Sequence, residues 1–493
     1  MADENYDLNN IFEFKGIFWI PGNDSNQNTG TLHYSTEDGL ELDLFGSFDE
    51  ELDNASTANT IILGFTENGK KITLLNCREF SHSTSLPGFE TSKVAALYCF
   101  IGEHFSSADD ILFDSLQVEY HGLGAWLDIY GFKRPTYQND PNSITLQYEQ
   151  PPAIEFDLVD GWKVKIDFSY YAPFEGFIPR LKAVIEQRPE FILTPPSKSS
   201  YFAFRDRMDR FTHFLTLCYF AAPGIANVIG NINNPEPEKL ELPVNPITII
   251  FRSTTISHRR KRSNRRDFLL TYTDMARAFQ KIVQHWWRLE VIAEASLDIL
   301  VESLMERTAP VELRFLILVQ ALENWHRRLN DAHHADPVAH KKRVKEVKDA
   351  IKQSYPEWPH HKWLHEKIGY DHGPNLQARL EDIVTGIPDM VRSALLDNEP
   401  NFILRVKDNR NYFTHYGEQL EEKKAPLSEL LVLSQKLMLI LIICILKELG
   451  LTNDEIEALM FTKGPILFNH LISYDAGSSY REKMKKAKEA RDK

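Results

Sequence analysis

Cysteine is scarce: the 493-residue chain has four, Cys77, Cys99, Cys218 and Cys444, and no CxxC pair. Residues so few and so far apart exclude a disulfide framework and a cysteine-ligated zinc site, and fit reduced, buried thiols. Positive charge is also short, with 56 Lys and Arg against 70 Asp and Glu and a net charge of −14. Such a surface does not suit a protein that coats nucleic acid, although a local basic groove is compatible with it, because binding follows the field at the site. No apolar run reaches the ~20 residues that span a bilayer. The strongest, Leu437 to Leu446, sits between Lys436 and Lys447 and predicts a buried core helix. The opening MADENYDLNN is acidic and polar, unlike a secretory signal, so a cytoplasmic protein without membrane attachment is expected. P-loop, Rossmann glycine, HExxH and GxSxG signatures are all missing, which removes the usual nucleotide, zinc-protease and hydrolase readings. His360, His361, His365 and His372 cluster without an acid or cysteine at a standard ligand spacing, so no metal and no cofactor is expected.

What is present divides by texture. A chain of 493 residues exceeds the size of one hydrophobic core and predicts two or three domains. In GLELDLFG, Leu40, Leu42 and Leu44 alternate with Glu41 and Asp43 behind an Asp38-Gly39 turn, the period-2 pattern of a half-buried strand. Further strands are predicted at 12–20, 60–66, 71–77, 94–101, 115–121, 125–131, 145–149, 153–158, 162–170 and 246–256, with Asp160-Gly161 as a second hairpin turn. Segment 201–220 reads as an inserted helix. Helices do not alternate with strands there, so residues 1–260 are expected to form a β-rich, sandwich-like domain of packed antiparallel sheets, with two subdomains as an option. From 270 to 475 the pattern is helical, at 270–305, 310–330, 337–354, 375–396, 401–416 and 426–449, and the tail 476–493 is charged and lacks an apolar face. The class is therefore α+β multidomain, a β-rich front followed by an all-α bundle.

One hexapeptide carries candidate chemistry: Arg410-Asn411-Tyr412-Phe413-Thr414-His415. Spacing alone is weak, because 17 histidines in this chain make about one Arg-x4-His pair expected by chance, and a second stands at Arg328 and His333. Context favours the first. Phe402, Val406, Phe413 and Tyr416 lie along one helical stripe, while Asp408, Asn411 and His415 lie along another. Five positions on an ideal helix are about 140° apart, so the two groups converge only if the guanidinium reaches round or if the helix starts near Asp408 or Asn409. In the second case free amides would favour a phosphate there. Glu323 is a candidate partner for Arg410 or His415, with a plain ion pair as the alternative, and Asp408 is either a site residue or a helix cap. Arg259, Arg260, Lys261, Arg262, Arg265 and Arg266 form the clearest basic run, either an RNA-backbone contact or a solvated linker. Trp286 and Trp287 fit core positions better than base stacking.

The helix RFLILVQALENWHRRL at 314–329, the Arg-Asn-x-x-x-His motif at 410–415 and the apolar helix 427–449 together resemble a HEPN domain. FKGIFWIPG, GTLHYSTEDGLELDLFG and FDSLQVEYHGLGAWL resemble the N-terminal domain of the ApeA family of HEPN nucleases. The resemblance implies a helical bundle that homodimerises and brings two motifs to one cleft. It also implies a metal-independent endoribonuclease of abortive anti-phage defence, with RNA as substrate and a phage-derived trigger sensed by the N-terminal domain. Arg410 would then stabilise the phosphate, His415 handle protons, and Asn411 orient one of them. About eighty residues between Glu323 and Arg410 imply an insertion in the basic bundle. The competing expectation is a non-catalytic HEPN dimerisation or RNA-binding protein.

Overall fold

Period-2 burial organises the first half of the chain. In β3 (Gly39–Phe45) Leu40, Leu42 and Leu44 are at most 2% exposed, while Glu41 and Asp43 are half-buried. The alternation that predicted the strand is therefore the alternation that buries it. The computed structural model describes residues 6–48, 60–133, 136–137, 144–172, 183–232, 246–253, 265–305, 309–330, 337–364, 374–396, 399–416, 418–467 and 482. Contacts divide the chain into two units, Met1–Gln280 and Lys281–Lys493.

Ahead of β3 lie β1 (Phe12–Trp19) and β2 (Asn28–Ser35), and after it come β4 (Ile61–Thr66), β5 (Lys71–Leu75), β6 (Arg78–Thr84), β7 (Glu90–Ala96) and β8 (Tyr98–Ile101). The short β9 (Leu112–Phe113) precedes β10 (Ser115–Tyr120), β11 (Thr136–Tyr137), β12 (Ile144–Thr145), β13 (Ile154–Asp157), β14 (Lys163–Tyr171) and β15 (Glu186–Thr194). The set ends with β16 (Ser199–Ser200), β17 (Ile225–Asn231) and β18 (Ile247–Phe251). Fourteen of these share one antiparallel hydrogen-bonded order, β13-β14-β15-β10-β17-β18-β8-β5-β4-β1-β2-β3-β7-β6, where packed sheets were expected. Gly39 and Gly161 turn their hairpins at φ 83° and 81°, which a residue with a Cβ adopts at a cost.

Helix α1 (Leu123–Leu127) stands where a strand at 125–131 was expected. Leu123, Trp126 and Leu127 are spaced to share one helical face, and the buried indole N–H donates to the Leu270 carbonyl at 2.9 Å. Helix α2 (Tyr201–Tyr219) is the predicted insertion. It lies on the sheet through Phe211, stacked on Phe191 of β15 at 3.8 Å, and through Thr212, within 3.1 Å of the Tyr120 hydroxyl. The run 94–101 is two strands that part at Leu97, and of 145–149 only Thr145 is in a strand. The short α3 (Tyr272–Met275) completes this unit's helices.

Helix α4 (Phe279–Ile292) leads into α5 (Glu294–Met305), α6 (Val311–Asn330), α7 (Pro337–Ser354), α8 (Leu376–Thr385), α9 (Asp389–Leu396), α10 (Phe402–His415), α11 (Leu427–Glu448) and α12 (Asn453–Leu467). Two predicted helices are interrupted. Pro388, which has no amide hydrogen, stands between α8 and α9, and Ala293 falls between α4 and α5. The helix α12 was not anticipated. Helix α6 is the hub of the second unit: α5, α8, α10 and α11 all pack on it. Phe315, Leu318, Val319 and Leu322 fill its inward face, and each fully buried apolar side chain contributes roughly 1.5–3 kcal/mol. Helix α11 is long and apolar enough to cross a membrane by composition, with a mean hydropathy of 2.3. It is nevertheless core, since every residue from Lys436 to Ile443 is buried.

Candidate active site

Five contacts fix α10 in the bundle. Its buried face is Phe402, Val406, Asn409, Tyr412 and Phe413, and the Phe413 ring lies 6.4 Å from Phe315 of α6. Asn409 is fully buried: its Nδ2 donates to the Arg405 carbonyl at 2.9 Å and its Oδ1 accepts from the Ala425 amide at 2.7 Å. On the outer side Arg405 donates to Glu429 at 2.7 Å, and Lys423 pairs with Asp408 at 3.3 Å. Lys424 lies 5.3 Å from the Tyr412 ring centroid, a cation–π contact that closes the return segment over the helix.

This frame carries Arg410 and His415 on one continuous helix. The helix starts at Phe402, so the amides of Asp408, Asn409 and Arg410 lie within it. The expectation of free amides beside Arg410 is overturned, because six residues of helix precede Asp408. For the same reason Asp408 is an interior ion-pair residue, not a cap. Tyr416 also departs from the predicted stripe. It takes φ 46°, its amide returns to the Tyr412 carbonyl at 2.6 Å, and its side chain is 70% exposed. The chain turns at that left-handed residue, which leaves His415 exposed in the last helical position.

Arg410 donates to Asn411 Oδ1 at 3.3 Å and stands 3.9 Å from Glu323 of α6. Glu323 has a nearer cation, Arg327 at 2.6 Å. Its charge is thus largely met by Arg327, and Arg410, with five donors and one such hydrogen bond, retains donors for an anion. Among the described residues Glu323 makes no hydrogen bond to His415. An exposed imidazole and a partly exposed guanidinium can move a proton and bind phosphoryl oxygens. On one ideal helix they project about 140° apart.

The remaining candidates fall elsewhere. Arg259, Arg260, Lys261 and Arg262 lie outside the described residues. Arg265 is bound to Asp274 and sits 3.6 Å from Asp128; the hydrogen bond to Asp274 pushes its pKa up, so its charge is met within the first unit. Arg266 lies in the same 3-10 turn. Arg328 lies in the last turn of α6, while His333 lies outside the described residues, as do His365 and His372. His361 Nε2 donates to the Tyr355 carbonyl, 2.7 Å away, and no group of three or more metal-ligating side chains occurs among the described residues. Trp286 and Trp287 are 0% and 5% exposed, so neither offers a face to a base. Burial pushes the thiols of Cys77 and Cys99 up and that of Cys444 up to about 12, which leaves no ready thiolate among them. Asn409, Arg327, Lys423 and Lys424 were not anticipated; the helical phase of Asn409, in register with Phe402 and Phe413, and the i,i+4 spacing of Arg327 from Glu323 could have marked those two.

Two family models match. The one described as ApeA N-terminal domain 1 covers residues 13–286, and the one described as Apea-like HEPN covers residues 316–455, a span that includes Glu323, Arg410 and His415. No curated protein and no solved structure matches the chain.

Proposed function

The chain belongs to the ApeA family of HEPN proteins, and from that premise we propose that it is a metal-independent endoribonuclease of abortive anti-phage defence. The observation that carries this reading is the end of α10, where an exposed imidazole and a guanidinium only loosely held by a carboxylate share one helix. A ribose 2′-oxygen attacks the adjacent phosphorus, and the bond from phosphorus to the 5′-oxygen breaks. One proton leaves the 2′-hydroxyl and one reaches the departing 5′-oxygen, so the products are a 2′,3′-cyclic phosphate and a 5′-hydroxyl. Imidazole serves both proton steps near neutral pH, and Arg410 meets the charge gathering on the phosphoryl oxygens. Asn411, bonded to Arg410, orients that guanidinium. Because one helix projects the two groups apart, the competent site is built by two copies, with His415 of each chain taking one proton step. The protein acts in the cytoplasm, and its sheet-bearing front senses a phage component.

The test is incubation of the purified protein with total RNA in EDTA, comparing wild type with His415→Ala and Arg410→Ala. Cleavage in wild type that falls at least about 100-fold in each variant is expected, with 5′-hydroxyl ends that a polynucleotide kinase labels directly. Cleavage that survives both substitutions would move the chemistry elsewhere, with Arg328 the next position to change. A wild type that stays inactive and harmless even when co-expressed with phage genes would sink the nuclease reading.

A further inference from the structure

Several cations of the helical unit are answered by an acid. Arg327 pairs with Glu323, Arg392 with Asp389, Arg405 with Glu429, Lys423 with Asp408 and Lys436 with Glu399. Helix α7 instead concentrates them. It carries Lys341, Lys342, Arg343, Lys345, Lys348 and Lys352 against only Glu346 and Asp349, in a chain whose net charge is −14. Among the described residues none of these six cations makes an ion pair, and all but the half-buried Lys348 are exposed.

Their placement is ordered. Lys341, Lys345, Lys348 and Lys352 follow the i, i+4, i+7, i+11 spacing, which gathers them within about 60° of helix circumference along a row about 16 Å long. Val344 and Ile351, half-buried, and Val347, 44% exposed, run along a separate seam, so the row has a face of its own. Asp349, one turn from Lys345 and Lys352, is in ion-pair contact with neither, so four like charges gathered on one face still repel one another, an arrangement that a polyanion relieves. The helix is also tethered near the candidate site. Pro337 follows Asn330, the end of the helix that carries Glu323, by seven residues, which span at most about 25 Å.

We propose that α7 is the substrate grip of this protein: the Lys341–Lys345–Lys348–Lys352 row binds the phosphodiesters of an RNA strand outside the cleavage site. The proposal rests on the ribonuclease reading for the identity of the strand, but its own contact is to phosphate and ignores the 2′-hydroxyl. DNA of the same sequence therefore binds this row equally well without being cut.

Binding separates the two ideas. In a full-length His415→Gln background, the four lysines are changed together to Gln, a good helix former that keeps α7 intact. A matched control removes Lys15, Lys93, Lys163 and Lys198 from the sheet unit in the same way. The dissociation constant of a fluorescent 20-nucleotide RNA is measured from 50 to 300 mM salt. The α7 variant is expected to bind about ten-fold more weakly at low salt, and its log–log salt slope is expected to flatten by about 2 to 3, four charges at roughly 0.7 each. The sheet control keeps the parent slope, and unlabelled DNA competes as well as unlabelled RNA. An unchanged slope, an equal loss in the control, or a parent that ignores RNA but binds anionic lipid vesicles would overturn the grip. If RNA binds through α7 and the His415 form never cuts it, the nuclease reading fails and the grip stands. If cutting depends on His415 and the α7 variant binds normally, the reverse holds.

Discussion

Gly64 in the sheet and Asn409 in the bundle show how differently the two units are held. A Cβ at Gly64 would sit 2.5 Å from the Phe18 ring on the paired strand β1, so the sheet there leaves no room for even one methyl group. Asn409 instead bridges two pieces of chain with two hydrogen bonds, and the helix it serves presents an exposed imidazole two turns away. The sheet is fixed by close approach of strands, and several of its ions pair with one another: Lys71 with Glu103, Arg205 with Asp209, Asp7 with His121. The bundle is fixed by a hub helix and a few polar ties, and among the described residues it leaves an exposed imidazole and a row of lysines without an ion pair.

Two substitutions test that division. The larger effect is expected from Gly64→Val, which over-packs the strand pair and costs about 3 kcal/mol. Hydrogen exchange read by mass spectrometry should lose protection across β1, β4 and β5 while α6 and α11 keep theirs. Equal loss in both units would erase the distinction. Asn409→Ala comes next, at about 2 kcal/mol, because it strands the buried Ala425 amide without an acceptor. Its loss of protection should centre on 402–430 and bring RNA cleavage down with it. Intact cleavage would mean that the tie to Ala425 does not position α10.

Legibility followed the same line. Helices whose apolar residues repeat at helical spacing, such as Val311–Asn330, Pro337–Ser354 and Phe402–His415, were readable to within a residue or two. Strands with one buried face were readable too. Two of those that were missed lack the alternation. REFSHST in β6 is exposed along nearly its whole length at the sheet edge, and EQRPEFILT in β15 carries Pro189 and three charged residues. LGAWL looked like strand because five apolar or small residues carry too little period to separate the two states. At the site, spacing alone offered two Arg-x4-His pairs, and helical context together with family resemblance favoured the one at 410–415. What sequence could not supply was contact between elements: that Asn409 accepts from the Ala425 amide, and that Lys423 meets Asp408, depend on how the segments pack.

The smallest effect sharpens the claim that ions of the sheet pair with one another. His121 Nε2 lies 3.3 Å from Asp7 Oδ1. That hydrogen bond raises the imidazole above its ordinary value against the opposing effect of burial. Burial likewise opposes ionisation of Asp7, yet the hydrogen bonds from His121 and Asn9 hold its carboxyl below its ordinary value. The signs give a window. The raised histidine contributes stability fully below the unfolded imidazole value, and that contribution disappears as pH rises through the higher folded value. The depressed aspartate contributes above its unfolded value and loses that contribution as pH falls through the lower folded one. The pair therefore stabilises most between about pH 4 and 6.5, the two ordinary values. Both side chains are about a third exposed, which screens the pair to less than about 1 kcal/mol. The denaturant midpoint of the sheet should fall modestly between pH 5.5 and 8.5 in wild type, and His121→Gln should flatten that fall. An equal fall in the variant would assign the pH dependence to other groups and leave this ion pair without a measurable role.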